Sequence, residues 1–262
     1  MSITISVLLA VHNNIYAQII EHVLHTKVRP QIKVDNYPID LEVTKDTNKI
    51  YVANYKSRSI SVINSDSGNI KNIPVGVKPR SIAIDDRSNN IYVANLGSGL
   101  LSVIDGYNDS TIKQIHVGTA PLNILYDDFS SKEDVPTIYN KIYVTNSASK
   151  PVGSVTVING STYEKEKNDI QVGKLPSAIA IDEHANVIYV ANRNNDTVTV
   201  IDGTSDKTIA NVTVSKMPFA IAFDSKDNKT YVVNRVSNTV SVIDDYKNGI
   251  VNKNDYKKEK IA

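Results

Sequence analysis

Short runs of Val, Ile, Tyr and Thr alternate along most of the chain with clusters of Asn, Asp, Gly, Ser and Pro. Runs of that composition bounded by such clusters predict β-strands joined by tight turns. Two kinds of run can be told apart. Ile91-Tyr92-Val93-Ala94 has no polar residue at alternate positions, which predicts a strand covered on both faces. Ile112 to Val117 alternates, with Lys113, Gln114 and His116 set against Ile112, Ile115 and Val117, which predicts a strand with water on one side.

The doubly covered run recurs. Tyr51-Val52-Ala53-Asn54 returns at Tyr92, Tyr143, Tyr189 and Tyr231, with starts 41, 51, 46 and 42 residues apart. Each copy is followed by Ser/Thr-Val-Ile-Asn/Asp, as in Ser102 to Asp105 or Thr199 to Asp202, and the first three then by Val-Gly-x-x-Pro, at Val75 to Pro79, Val117 to Pro121 and Val172 to Pro176. Val214 to Pro218 has Ser in place of Gly, and Val34 to Pro38 is a degenerate copy. A short run such as Ser81 to Asp85 follows the Pro, a position that needs no ladder hydrogen bond. Each unit therefore reads as four strands, in the second unit near 81–85, 90–95, 100–105 and 112–117. A period of this length in a strand-rich chain predicts one propeller blade per repeat. The expected fold is all-β, a β-propeller of about five four-stranded blades with repeats near 38–75, 79–117, 121–172, 176–214 and 218–256.

These phrases resemble the YVTN-type β-propeller repeat family over residues 34–244. The resemblance implies the propeller fold and relatives among archaeal surface-layer-like proteins and exported propeller subunits. It implies no single activity, because propellers host many functions.

The pattern decays after Asp244, and Pro30 to Val34 precedes the first Pro as an outer strand would. The expectation is a closed five-bladed ring in which residues near 30–34 complete the blade of Tyr231; the rival is part of a larger propeller. Residues 1–29 read as an N-terminal segment and 30–256 as the propeller. Residues 257–262 read as a charged tail. Ile3 to Val11 resembles the apolar core of a secretory signal, with Ala17 the last residue removed, although no positive charge precedes it; a buried strand or an N-terminal helix are the other readings. It is too short to span a bilayer as a helix. The expected location is extracellular or at the cell surface.

Composition excludes some chemistry. The absence of Cys removes disulfides, thiol catalysis and Cys-ligated metals. His12, His22 and His25 precede the repeats, His116 falls on an outer strand and His184 in a turn, so a Ser-His-Asp or His-metal site has no natural place. Asp85, Asp105, Asp182, Asp202, Asp224 and Asp244 end strands, where Asp makes turns. Asn64 to Asn69 and Asp224 to Asn228 hold clustered oxygens that could supply Ca²⁺ ligands, but neither has the twelve-residue loop pattern with its terminal Glu, and no cofactor is expected. Asn54, Asn95, Asn146, Asn192 and Asn234 occur in every unit, which makes them scaffold. The third unit alone is lengthened, at 127–141, 147–154 and 163–167, and insertions in repeats fall in loops.

The net charge of +1 hides a sorted distribution. In a propeller, the turns between second and third strands and the links between blades share one end, the top. Those segments hold Lys56, Arg58, Lys78, Arg80, Lys150, Lys174, Arg193, Lys216 and Arg235 against chiefly Asp35 and Asp196, while most acids fall in the other turns. A rim of like charge concentrates ligands of opposite sign. The expected function is a non-enzymatic binding module whose top face, with Arg80, Arg193 and Arg235 nearest the funnel, meets a protein or an anionic cell-envelope glycan. Nucleic acid is not expected, since no stacking platform or known motif accompanies the cations. The alternative is a propeller enzyme or enzyme subunit, a lactonase-like hydrolase or a dehydrogenase subunit.

Overall fold

Four strands per repeat form in succession, each paired antiparallel with the next. The computed structural model describes residues 31–127, 140–148 and 151–244, and the backbone of Lys258–Lys260. The chain divides into two units, Met1–Lys33 and Val34–Ala262, and all strands belong to the second. The first sheet is β1 (Pro38–Val43), β2 (Lys49–Asn54), β3 (Ser59–Asn64) and β4 (Ile70–Pro74). The second is β5 (Pro79–Asp85), β6 (Asn90–Asn95), β7 (Leu100–Asp105) and β8 (Ser110–His116). The third comprises β9 (Pro121–Asp127), β10 (Lys141–Asn146), β11 (Ser154–Asn159) and the short β12 (Ile170–Gln171). The fourth comprises β13 (Pro176–Asp182), β14 (Val187–Asn192), β15 (Thr197–Asp202) and β16 (Lys207–Thr213). The fifth comprises β17 (Pro218–Asp224), β18 (Lys229–Asn234), β19 (Thr239–Asp244) and β20 (Lys258–Lys260). The first strands pack in series, β1 on β5, β5 on β9, β9 on β13 and β13 on β17, as inner strands of successive propeller blades do. Among the described residues no helix is long and apolar enough to cross a membrane.

The two faces of each second strand explain its unbroken apolar run. Tyr92 points toward the following blade, where it joins Leu101 and Val103 against Ile142 and Val144. Its neighbours Ile91 and Val93 point the other way and join Tyr51, Ala53 and Val62 of the preceding blade. Tyr143 and Tyr189 repeat the arrangement across the next two interfaces. In the first three interfaces the following blade adds two residues from its first strand, Ile82 and Ile84, Ile124 and Tyr126, or Ile179 and Ile181, and in the fourth it adds Ile221.

The recurring Asn belongs to the scaffold. Asn192 Nδ2 donates to Thr197 Oγ1 and Thr199 Oγ1 across the turn, and Asn54, Asn95, Asn146 and Asn234 each make the second of these bonds, to Ser61, Ser102, Thr156 and Ser241. The Gly of Val-Gly-x-x-Pro follows from this. A Cβ on Gly118 would come within 2.4 Å of the Asn146 side chain, and one on Gly173 within 2.5 Å of Asn192. The strand-ending Asp residues are turn-makers: the Oδ1 atoms of Asp85, Asp105, Asp182, Asp202 and Asp224 accept from backbone N–H groups two residues on.

Among the described residues the fifth sheet is completed by a different strand from the one expected. β20, from the segment read as a charged tail, supplies the outer strand of the fifth sheet by pairing with β19; residues 31–34 form no strand. No packing comparable with the other interfaces joins the fifth sheet to the first among the described residues. Leu41 and Val43, which correspond to Ile82 and Ile84, are 58% and 55% exposed. On the opposite flank Val233 and Val240 are 45% and 39% exposed. The physical reason is that the pattern specifies how one blade covers the next but not how many blades are present. The segment compared with a secretory signal and the three N-terminal histidines lie outside the described residues, as do most of the first third-blade insertion and Lys150.

The buried tyrosines set the alkaline limit of the fold. Burial, then the Asp109 carboxylate, pushes the Tyr51 hydroxyl above the ordinary tyrosine range; burial and Asp206 do so for Tyr143, and burial and Asp85 for Tyr92. Because the folded value lies above the unfolded one, near 10, their contribution to stability is full below about pH 10 and is lost as pH rises through the folded value. Alkaline titration is expected to ionise these side chains only together with loss of tertiary structure. Full tyrosinate absorbance in a protein with intact near-ultraviolet dichroism would contradict this.

Candidate functional site

Backbone bonds place the cation-bearing segments on one rim. The turn after each second strand donates to the link that opens its own blade: Tyr55 N to Tyr37 O, Leu96 N to Lys78 O, Ser147 N to Ala120 O, Arg193 N to Leu175 O and Arg235 N to Met217 O, all at 2.9–3.0 Å. The accepting residues all precede Pro and hold φ between 54° and 60°, a conformation rare for non-glycine residues. The remaining turns meet at the opposite rim, where Gly106 N donates to Asn89 O and Gly203 N to Asn186 O.

Charge pairing differs sharply between the two rims. Lys49 and Lys71 pair with Asp109, Lys141 with Asp206, Lys45 with Asp86 and Lys113 with Glu164, all toward the lower rim or the outer strands. None of the described top-rim cations, Lys56, Arg58, Lys78, Arg80, Lys174, Arg193, Lys216 or Arg235, forms an ion pair. The two rim acids are used elsewhere: Asp35 accepts from Ser59 Oγ, and Asp196 accepts from the Met217 N–H.

Two groups of rim residues come together over aromatic rings. Between the fourth and fifth blades, the guanidiniums of Arg193 and Arg235 lie 5.6 and 5.4 Å from the centroid of Phe219, a ring 42% exposed. The Arg193 Nε is buried without a hydrogen-bond partner. Between the first and second blades, Lys56 lies 4.6 Å from the Tyr37 ring and Lys78 5.8 Å from Tyr55, and the two rings are 5.8 Å apart. Cations over ring faces are attracted by the ring quadrupole, which holds their heads at the rim without neutralising them. Arg80 sits in the β-bulge of β5 that follows Pro79. Phe219 follows Pro218 in the corresponding bulge of β17. Arg58 and Lys174 stand on the rim apart from these groups.

Sequence reasoning missed Phe219, Tyr37 and Tyr55 and found no stacking platform. The available signal was position: Phe219 follows its Pro as Arg80 does, and Tyr37 and Tyr55 occupy the link and turn that also carry the cations. Among the described residues no three His, Asp or Glu side chains are grouped to hold a metal ion. The rim donors are guanidinium and ammonium groups, which do not fit one.

Comparison with known proteins places the fold. The model of the family described as "Lactonase, 7-bladed beta-propeller" matches residues 140–254. The chain is similar to hydrazine synthase of Kuenenia stuttgartiensis, at 16% identity and a TM-score of 0.60, covering 84% of this chain and 80% of that one. It is similar to a functionally unknown protein from Desulfotomaculum acetoxidans, at 12% identity and a TM-score of 0.66, covering 88% and 71%. It is also similar to a chain of a nidogen/laminin complex, at 14% identity and a TM-score of 0.57, covering 80% and 76%. No curated protein matches. The fold is a β-propeller. At these identities the likeness speaks for architecture and not for activity.

Proposed function

We propose that the chain is a YVTN-type binding module of the cell surface or exterior whose top rim takes an anionic partner, an acidic protein face or an acidic glycan. The observation that carries this reading is the difference in pairing: several cations are matched to carboxylates toward the lower rim and the outer strands, whereas none of the described top-rim cations is. Arg193, Phe219 and Arg235 form its centre. Two guanidinium forks can each take a carboxylate or sulfate bidentately, and the ring between them offers an apolar floor. Arg80 and the Lys56–Lys78 group extend the field around the rim.

The test is binding of an acidic-glycan and acidic-protein panel to the native chain and to an Arg80→Gln, Arg193→Gln, Arg235→Gln variant at low and moderate salt. Binding is expected to weaken in the variant and to fall with salt, since exposed charges are screened over about 8–10 Å near physiological ionic strength. Indistinguishable curves would reduce the rim to a solubility feature. The match of residues 140–254 to a lactonase family supports a second reading, a lactone hydrolase. Turnover of a lactone panel by the purified chain, unaffected by the same three substitutions, would favour it.

A further inference from the structure

The exposed flank of the fifth blade is written in the same residues as the four covered flanks. Its Tyr231, Val233 and Val240 correspond to Tyr189, Ala191 and Val198, which the next blade covers. One polar element also recurs at these interfaces. At three of the four, the first residue of the second strand reaches one left-handed residue in the next blade's third turn, and at two of these the Tyr two places on reaches it as well. Lys49 Nζ lies 2.8 Å from Asp109 Oδ1, with the Tyr51 hydroxyl 3.5 Å from the same atom. Lys141 Nζ lies 2.7 Å from Asp206 Oδ2, with the Tyr143 hydroxyl donating at 2.9 Å to Oδ1. The φ values of Asp109 and Asp206 are 51° and 53°. Where the strand opens with Asn90 instead, the left-handed residue of the next blade is Tyr163, whose Oη accepts from Asn90 Nδ2 at 2.8 Å. Lysine is thus answered by aspartate and asparagine by tyrosine.

Lys229 and Tyr231 restate the lysine form, and neither has a partner among the described residues. We infer that the outer flank of the fifth blade is a docking surface for a further blade of this repeat, with an Ile-x-Ile inner strand and an aspartate at the left-handed position of its third turn. Charge complementarity argues against a second copy of this chain as the occupant. Among the described residues, the exposed entry flank of a second copy is that of its first blade, and there Gly68 stands at the left-handed position. Apolar burial between Val233, Val240 and the incoming strand supplies the attraction, and the Lys229–carboxylate pair selects which blade is accepted.

A chain without native Cys allows a direct test. Val233→Cys is labelled with a maleimide in the full chain, and in the full chain extended after Ala262 by a copy of residues 75–172, which presents Ile82, Ile84 and Asp109 as a second-blade flank. Labelling is expected to slow more than about tenfold in the extended chain, a docking preference of about 1.4 kcal/mol or more. Asp109→Lys in the copy should restore most of the rate, and adding Lys229→Asp should protect the thiol again. An unchanged rate overturns the proposal. So does a thiol already protected in the unextended chain, whether by self-association seen in sedimentation or by residues 1–33. A second measurement does not depend on the extension folding. Lys229→Met should leave the denaturation midpoint of the full chain unchanged while Lys141→Met lowers it; equal losses would show that Lys229 already has its partner.

Discussion

Tyr143→Ala is expected to cost the folded chain roughly 3–5 kcal/mol, the range for truncating a buried aromatic. Tyr231→Ala is expected to cost about 1 kcal/mol or less, the range for a side chain with few neighbours to lose. The two residues hold the same place in the repeat. Tyr143 is fully buried between the third and fourth blades, with its hydroxyl on Asp206 and the Gly203 carbonyl. Tyr231 is only partly covered, and among the described residues no blade is stacked over it. Tyr143→Phe separates the contributions: it keeps the ring and removes hydroxyl bonds worth about 1 kcal/mol. Denaturant midpoints of the three variants against the parent decide the matter. Equal losses at Tyr143 and Tyr231 would mean that the fifth blade's flank is covered in solution.

That contrast also marks how far the sequence alone could be read. The blade was legible because its determinants are local and repeat: the run around Tyr92 needs two covered faces, and Gly118 needs to lack a side chain beside Asn146. Closure was not legible. Whether Leu41 meets a preceding blade depends on the number of blades, and nothing in a blade's own pattern counts its neighbours. The outer strand of the last blade was misplaced for a related reason. Lys258–Lys260 pairs through its backbone, and a run of charged residues carries no apolar signal to announce a strand.

The candidate site was half legible. Assigning each turn to a rim requires only the order of strands, so the clustering of cations could be read before any coordinates. What could not be read was pairing. Lys49 and Lys56 are both lysines near turns of the first blade, yet one is held by Asp109 of the next blade and the other lies over Tyr37 with no carboxylate. That difference is set by contacts between blades and by rings brought beside the cations from other turns. Phe219 shows the same limit: its sequence neighbours do not reveal that Arg193, 26 positions earlier, lies over its ring.

The interblade ion pairs should behave as parts of the core. Asp206→Asn keeps the size and the tolerance for the left-handed backbone but removes the charge that faces Lys141, whose side chain is 16% exposed. The expected loss is about 1.5–3 kcal/mol, because a partly buried ammonium beside the Gly203 carbonyl then faces a neutral amide in place of a carboxylate. Adding Lys141→Met to Asp206→Asn should recover part of that loss, since the stranded charge is then gone and an apolar stem remains against Tyr143. A double-mutant cycle in denaturant measures the coupling, which contacting residues of this kind show at 0.5–3 kcal/mol. Purely additive losses would mean that the pair is an accident of surface charge. The matching of Lys49 to Asp109 would then lose its meaning as well, and with it the reason to expect a carboxylate opposite Lys229.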